Sequence, residues 1–143
     1  MKAMILAAGL GTRLKPFTDH HPKALAVVNG KPLLQRNIEY LQAYGIYEVV
    51  VNVHHFADQI IDAIEKNNGW GSNVTISDES DEVLETGGGL LRAKTHFENE
   101  AKWLVMNADI LTNLDLGKML EADKAFDALS EGEMVATLAV TNR

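Results

Sequence analysis

Apolar segments of strand length alternate along the chain with segments of helical periodicity, and this alternation restricts the fold more than any other feature. The connections are short, and no internal repeat or low-complexity stretch interrupts the pattern. Because crossovers between parallel strands are right-handed, the pattern predicts a Rossmann-like α/β fold with a mostly parallel, twisted sheet and helices on both faces. The predicted strands are 4–8, 47–53, 73–77, 103–106 and 134–140, and the predicted helices are 32–41, one around 60–64, 90–97 and 116–129.

Length and composition predict one folded domain over residues 1–143. The chain is 46% hydrophobic, which is enough for one sizeable core. It has no cysteine, which excludes disulfides and thiolate sites and is typical of a reducing cytoplasm. The N-terminal apolar run is too short for a signal peptide, and no segment is long enough to span a membrane. We therefore expect a cytoplasmic protein.

The charge distribution excludes one class of partner and favours another. A net charge of −7 argues against a wide nucleic-acid surface, which needs a basic face. Over the first 31 residues, however, five cations accompany one acid. An anionic ligand is therefore expected to meet a local cationic patch in this part of the chain.

The segment from residue 6 to 23 combines the features that a triphosphate site needs. Gly9 and Gly11 let the chain turn sharply after a buried strand, where side chains would block phosphate. The backbone amides of 10–12 can then form an anion-binding nest. Arg13 supplies a planar charged fork and Lys23 a compact point charge. We therefore predict that this segment binds phosphate groups.

Two common glycine motifs do not fit this segment. A dinucleotide fingerprint requires a third glycine where the chain has Leu14, and Pro16 opposes an immediate helix. This disfavours a nicotinamide-dependent oxidoreductase. A Walker loop requires Gly-Lys where the chain has Leu14 and Lys15.

Ligands of open α/β sheets bind beyond the carboxyl ends of the strands, and this rule selects two further segments, 52–55 and 107–109. Asp109 follows a predicted strand, where its carboxylate can join Mg²⁺ to nucleotide phosphates. The alternative is that Asp109 only caps a turn. The phosphate-binding segment favours the magnesium site.

The segment 85–89, Glu-Thr-Gly-Gly-Gly, admits two interpretations. Its glycines allow a flat nucleobase to approach the backbone, and Glu85 can accept a hydrogen bond from the base. Alternatively, the segment is a flexible loop in which Thr86 caps a helix. We favour the base platform, which does not choose between uracil and guanine.

The remaining polar residues have simpler interpretations. His54 and His55 lack the partners of a metal site, so we expect them to form local hydrogen bonds or to line a sugar pocket. The acidic run 78–82 is expected to be a solvated loop.

The pattern GxGxR followed by Pro16, Thr18 and Pro22-Lys23 resembles the signature of the sugar-1-phosphate nucleotidylyltransferases. With 85–89 and 52–55, the chain is similar to the bacterial branch of mannose-1-phosphate guanylyltransferases and N-acetylmuramate-1-phosphate uridylyltransferases. The resemblance covers the whole chain.

This resemblance implies a nucleotidyltransferase that transfers a nucleoside monophosphate from UTP or GTP to a sugar-1-phosphate, with Mg²⁺ as cofactor. It implies that Arg13 binds the β- and γ-phosphates, that Lys23 binds the α-phosphate and the incoming phosphate, and that Asp109 binds the metal. Asn107 is assigned to the substrate. The implied nucleotide-binding residues are Leu6, Ala8, Gly9, Leu10, Gly11, Thr12, Arg13, Lys23, Glu85 and Gly88.

The chain departs from the family pattern in two respects. Ala108-Asp109 stands where the family has Gly-Asp, which leaves the metal ligand intact. Family catalytic domains are also longer, so we expect this chain to hold the nucleotide-binding part and to lack the rest. The alternative function is a non-catalytic nucleotide-binding or regulatory module. An uncovered strand at 134–140 would favour self-association.

Overall fold

The computed structural model describes residues 1–82, 84–129 and 135–140. The chain divides into two compact units, Met1–Leu111 and Thr112–Arg143. The strands and helices, in chain order, are β1 (Ala3–Leu6), β2 (Val27–Val28), β3 (Lys31–Pro32), α1 (Leu33–Gln42), β4 (Glu48–Val53), α2 (Ala57–Lys66), β5 (Asn73–Asp78), α3 (Glu85–Ala93), β6 (Leu104–Asn107) and α4 (Leu116–Leu129).

The first unit is built on a parallel sheet with the strand order β5-β4-β1-β6. The chain moves from β1 outward to β4 and β5, then returns past them to β6 on the other side of β1. Right-handed crossovers therefore place α1 and α2 on one face and α3 on the other. This confirms the predicted Rossmann-like fold. The strand order reverses between β1 and β6, which is where ligands bind in such sheets.

Side chains alternate between the two faces of the sheet, so each face has its own core. Met4 and Val50 are opposite each other in the β1–β4 register and pack with Ala93 and Phe97. Phe97 in turn stacks on Trp103, with ring centroids 4.0 Å apart. The opposite face meets the apolar stripes of α1 and α2, whose fully buried members include Leu34, Ile38, Leu41 and Ile60.

Two elements of the first unit differ from the sequence prediction. Helix α3 begins at Glu85 rather than at Leu90, because tertiary packing of the glycines outweighs their low helix propensity. A short antiparallel ribbon, β2–β3, also precedes α1. Its turn is Asn29-Gly30, with φ angles of 47° and 78°, and this dipeptide favours a two-residue hairpin.

The second unit contains α4, whose bounds agree with the predicted helix. The predicted strand at 134–140 is wrong for residues 135–140, which form no strand, and Met134 lies outside the described residues. Val135 is 97% exposed. An apolar composition alone does not make a strand, because the backbone also needs a hydrogen-bonding neighbour. No helix in the described ranges is long and apolar enough to cross a membrane.

Candidate active site

A cavity of about 560 Å³ lies within the first unit, at the carboxyl ends of the parallel strands. The loops that follow β1, β4, β5 and β6 contribute to it, together with the start of α3. Every predicted site residue except Gly88 lines this cavity. The lining residues are Leu6, Ala7, Ala8, Gly9, Leu10, Gly11, Thr12, Arg13, Lys23, Ala24, Asn52, His54, Glu79, Leu84, Glu85, Thr86, Asn107, Ala108 and Asp109.

The loop after β1 turns at Gly11, which has the left-handed φ of 64°. The carbonyl oxygen of Gly11 accepts hydrogen bonds from the Thr18 hydroxyl at 2.8 Å and from the Leu14 amide at 2.9 Å. A Cβ atom at this position would lie only 2.8 Å from Thr18 Cγ2. Both the backbone conformation and the contact with Thr18 therefore require glycine at position 11.

The same loop presents unpaired backbone donors beside a cation. In the part of the chain that the structure describes, the amides of Gly9, Leu10 and Gly11 donate to no protein acceptor. A Cβ atom at Gly9 would have no protein atom within 4 Å, so this position is open to a ligand. Arg13 is exposed on the single helical turn that follows. The loop thus offers the donors expected of an anion-binding nest.

Lys23 and Asp109 form an ion pair at the β1–β6 side of the cavity. Their side chains are 22% and 31% exposed, respectively. Lys23 begins a single helical turn, while Asp109 follows β6. The buried Asn37 of α1 fixes the backbone before Asp109, since its Nδ2 donates to the Ala108 carbonyl at 2.8 Å. The predicted phosphate-binding residue and the predicted metal ligand therefore neutralise each other.

On the other side of the loop, two buried polar residues join β1, β4 and β5. Asn52 Oδ1 accepts from the Ala7 amide at 2.7 Å, and its Nδ2 donates to Glu79 Oε1 at 2.9 Å. Glu79 is only 1% exposed, so the expectation of a solvated loop at 78–82 is wrong for this residue. Glu79 directly follows β5, and the strand-end rule that selected Asp109 would have selected it too.

Asp78 and Asp81, near Glu79 in sequence, are exposed, but hydrogen bonds hold both side chains in place. Asp78 accepts hydrogen bonds from the hydroxyl and the amide of Ser80, which lower the pKa of Asp78. Asp81 forms a two-bond ion pair with Arg92 of α3 at 2.6 and 3.0 Å, and this hydrogen bonding lowers the pKa of Asp81. The segment after β5 is thereby fastened to α3.

The start of α3 forms the far wall of the cavity. Glu85, which has a φ of 52°, and Thr86 line the cavity. Gly88 faces Leu84 instead, because a Cβ atom at Gly88 would lie 2.9 Å from the Leu84 Cβ. Gly89 is enclosed by Glu79 and Asn52. Two of the three glycines thus serve helix packing.

His54 forms a local hydrogen bond, whereas His55 makes a ring contact with its neighbour. His54 lines the cavity, and its Nδ1 lies 2.7 Å from the Glu79 carbonyl oxygen, so Nδ1 carries the proton. His55 is exposed and packs on Phe56, with ring centroids 4.0 Å apart. Among the described residues, no group of three or more histidine, cysteine or acidic side chains is placed to hold a metal.

A sequence model of the nucleotidyl transferase family matches residues 2–142. The chain belongs to this family. Its fold agrees with that assignment. The two relatives described next are a uridylyltransferase and a guanylyltransferase.

Two relatives illustrate where the chain stands in the family. N-acetylmuramate alpha-1-phosphate uridylyltransferase of Neisseria meningitidis is 42% identical over 115 residues, which cover 80% of this chain and 49% of the relative. D-glycero-alpha-D-manno-heptose 1-phosphate guanylyltransferase of Campylobacter jejuni is 38% identical over 119 residues, which cover 83% and 52%. The chain thus spans about half the length of these relatives.

A solved structure likewise matches most of this chain over about half of its own length. HddC from Yersinia pseudotuberculosis, in complex with GMP-PN, matches with a TM-score of 0.76 and 38% identity. The match covers 85% of this chain and 53% of HddC. The family member described here therefore shares the fold of the corresponding half of HddC.

Proposed function

We propose that this chain binds a nucleoside triphosphate in the cavity and takes part in transferring its nucleoside monophosphate to a sugar-1-phosphate. The observation that carries the proposal is one arrangement: free loop amides, Arg13, Lys23 and Asp109 line a single cavity at the strand-order reversal. These groups are what two polyanionic reactants require. The products are a nucleoside diphosphate sugar and pyrophosphate.

In the proposed reaction, a phosphate oxygen of the sugar-1-phosphate attacks the α-phosphorus. A bond forms between them, and the bond from the α-phosphorus to the bridging oxygen of the leaving pyrophosphate breaks. The nucleophile is already ionised, so no protein group has to remove a proton. The barrier is therefore mainly one of positioning and electrostatic repulsion.

Each cationic group then has a separate part in overcoming that barrier. Lys23 Nζ holds the α-phosphate and the incoming phosphate together, which offsets their mutual repulsion. The Arg13 guanidinium and the amides of 9–11 hold the β- and γ-phosphates and stabilise the negative charge on the leaving group. Both cations lie on the loop after β1, but Lys23 is the one paired with Asp109, the proposed metal ligand.

Asp109 fits a magnesium ion of the kind that accompanies nucleotides. Mg²⁺ in such sites is held by one or two carboxylates, by substrate phosphates and by water, rather than by a protein cage. Asp109 supplies one partly exposed carboxylate beside a phosphate-binding loop, which suits this mode. The ion would supply further neutralisation of phosphate charge.

Glu85 and Thr86 are the proposed contacts of the base, on the wall opposite Asp109. The relatives named above are a uridylyltransferase and a guanylyltransferase, so we propose UTP or GTP as the nucleotide.

The test is ligand-induced stabilisation of the 143-residue chain by UTP, GTP, dTTP, CTP, ATP and NAD, with and without Mg²⁺. We expect UTP or GTP to raise the melting temperature and Arg13→Ala to remove the rise. Lys15→Ala is the matched control, because Lys15 is an exposed cation of the same loop that pairs with Asp19 and does not line the cavity. A rise with NAD alone, or an equal rise in the Arg13 variant, would contradict the proposal.

A further inference from the structure

We propose that Asn52 and Glu79 are positioning residues that fix the root of the triphosphate-binding loop, an inference that rests on the proposed function. Neither residue belongs to the phosphate-binding segment, and both are buried, at 2% and 1% exposure. Both nevertheless line the cavity, and a chain of hydrogen bonds connects them to the first residue of the loop.

The direction of these hydrogen bonds fixes the orientation of the Asn52 amide. The Ala7 N–H can only donate, so it needs Asn52 Oδ1. Glu79 Oε1 accepts from Asn52 Nδ2, so both partners of Asn52 favour this orientation of its amide. If the amide were flipped, its NH₂ group would face the Ala7 N–H and its oxygen would face the Glu79 carboxyl oxygen, and both hydrogen bonds would be lost. Glu79 therefore selects the one orientation of Asn52 that holds the Ala7 peptide.

Ala7 matters because it is the point at which the chain leaves β1 for the loop. In the β1–β4 register, Leu6 lies opposite Asn52, so the Asn52 side chain reaches the very next peptide. On the β6 side, the Ala108 amide donates to the Leu6 carbonyl at 3.0 Å. The root of the loop is thus fixed from both neighbouring strands. The orientation of this peptide sets the direction in which the next amides of the loop, those of 9–11, point.

The Asn52–Glu79 pair is itself held in place. The Glu79 amide donates to the Val53 carbonyl at 2.8 Å, and His54 Nδ1 bonds to the Glu79 carbonyl. Helix α3 closes the remaining side at Gly89, where a Cβ atom would lie 2.8 Å from Glu79 Oε1 and 3.0 Å from Asn52 Nδ2. This explains why a helix carries glycine at that position.

The test exchanges the amide and the carboxylate. Asn52→Asp alone still accepts from Ala7 but places two carboxylates together, and we expect the Kd for the Mg²⁺ complex of UTP or GTP to rise at least about tenfold. Glu79→Gln alone keeps the shape but replaces the carboxylate by an amide that can present either an acceptor or a donor to Asn52, so we expect a smaller rise. The double variant Asn52→Asp with Glu79→Gln keeps the hydrogen bond from the Ala7 amide to residue 52, restores the one between residues 52 and 79 in the reversed direction, and conserves the formal charge. We expect its Kd to return to within about threefold of wild type.

Gln42→Glu is the control for an amide-to-acid change at a half-buried position outside the cavity. Gln42 Nε2 donates to the Trp70 carbonyl and to Ser72 Oγ, each at 2.9 Å, and Gln42 does not line the cavity. We expect this variant to melt at a lower temperature with an unchanged Kd. Calorimetric titration of each variant at a temperature where it is folded separates the two effects.

The Ala7 amide resonance supplies a readout that a general loss of stability would not move. We expect it to shift in Asn52→Asp and in the double variant, because a carboxylate replaces the amide as its acceptor. If Asn52→Asp does not fold, Gly89→Ala disturbs the same pair without changing a charge and should also weaken binding.

An unchanged Kd in Asn52→Asp and Gly89→Ala would overturn the positioning role, as would a folded double variant that binds no better than Asn52→Asp. These results presuppose that the wild-type chain binds a triphosphate. Failure of the wild type to bind any triphosphate would refute the proposed function itself.

Discussion

Replacing Asp109 by asparagine should strengthen triphosphate binding when magnesium is absent. Asp109 holds Lys23 in an ion pair, so a phosphate group has to displace the carboxylate before it can use the lysine. The same carboxylate repels the bound phosphate. Asp109→Asn removes both effects and leaves the volume of the side chain nearly unchanged.

The magnitude follows from the geometry. A partly exposed ion pair contributes about 0.5–1 kcal/mol. Repulsion between unit charges 4–6 Å apart costs about 0.7–4 kcal/mol for dielectric constants between 80 and 20. After allowance for screening by salt, the two effects together favour the variant by about 1–3 kcal/mol, which corresponds to roughly a 5- to 150-fold lower Kd.

The assay is calorimetric titration of UTP and GTP in EDTA and again in excess magnesium. Wild type should bind more tightly with magnesium, whereas Asp109→Asn should gain little from it. Asp19→Asn is the control, because it removes one exposed acid near the same loop that lies outside the cavity lining. The reasoning would be refuted if Asp109→Asn bound no more tightly than wild type in EDTA, or if magnesium strengthened binding by Asp109→Asn as much as it strengthens binding by wild type.

Gly11→Ala should lower stability by about 2–4 kcal/mol, because the residue has a φ of 64° and its new methyl would meet Thr18. Gly9→Ala should melt like wild type but bind triphosphate more weakly, and equal melting temperatures for the two variants would contradict this reading. Glu39→Gln tests pH dependence, since the hydrogen bond from Lys31 lowers the pKa of Glu39 below its usual 4.5. The stabilisation of about 0.2–1 kcal/mol should be present above pH 4.5 and be lost as the pH falls through the lowered pKa of Glu39, so the two melting curves should converge at low pH. A difference that stays constant over this acid range would exclude the ion pair as its source.

The sheet and the glycine turn after β1 could be predicted because their signals are local. Strand runs such as 47–53 show directly in the apolar pattern, and glycine and proline mark where the chain must turn. Asp109 could be found because it follows a recognisable strand. In each case, neighbours in sequence determine the outcome.

The Asn52–Glu79 pair could not be predicted because its partners are 27 positions apart in the sequence. An acidic run is usually a solvated loop, but here α3 packs against β4 and Gly89 covers the Glu79 carboxyl. The start of α3 escaped prediction for a related reason. Glycine disfavours a helix locally, but Gly89 lets that helix approach the buried pair closely enough to cover it.

The distances along the chain between cavity residues have a consequence for folding. The Lys23–Asp109 pair joins positions 86 apart, and the Ala7–Asn52 hydrogen bond joins positions 45 apart. Contacts between such distant positions require the closure of long loops and therefore form late. Strand β6, which brings Asp109 to the loop, is the last in chain order to join the sheet. During refolding, we therefore expect the proposed triphosphate binding to appear only after this final strand has joined the sheet.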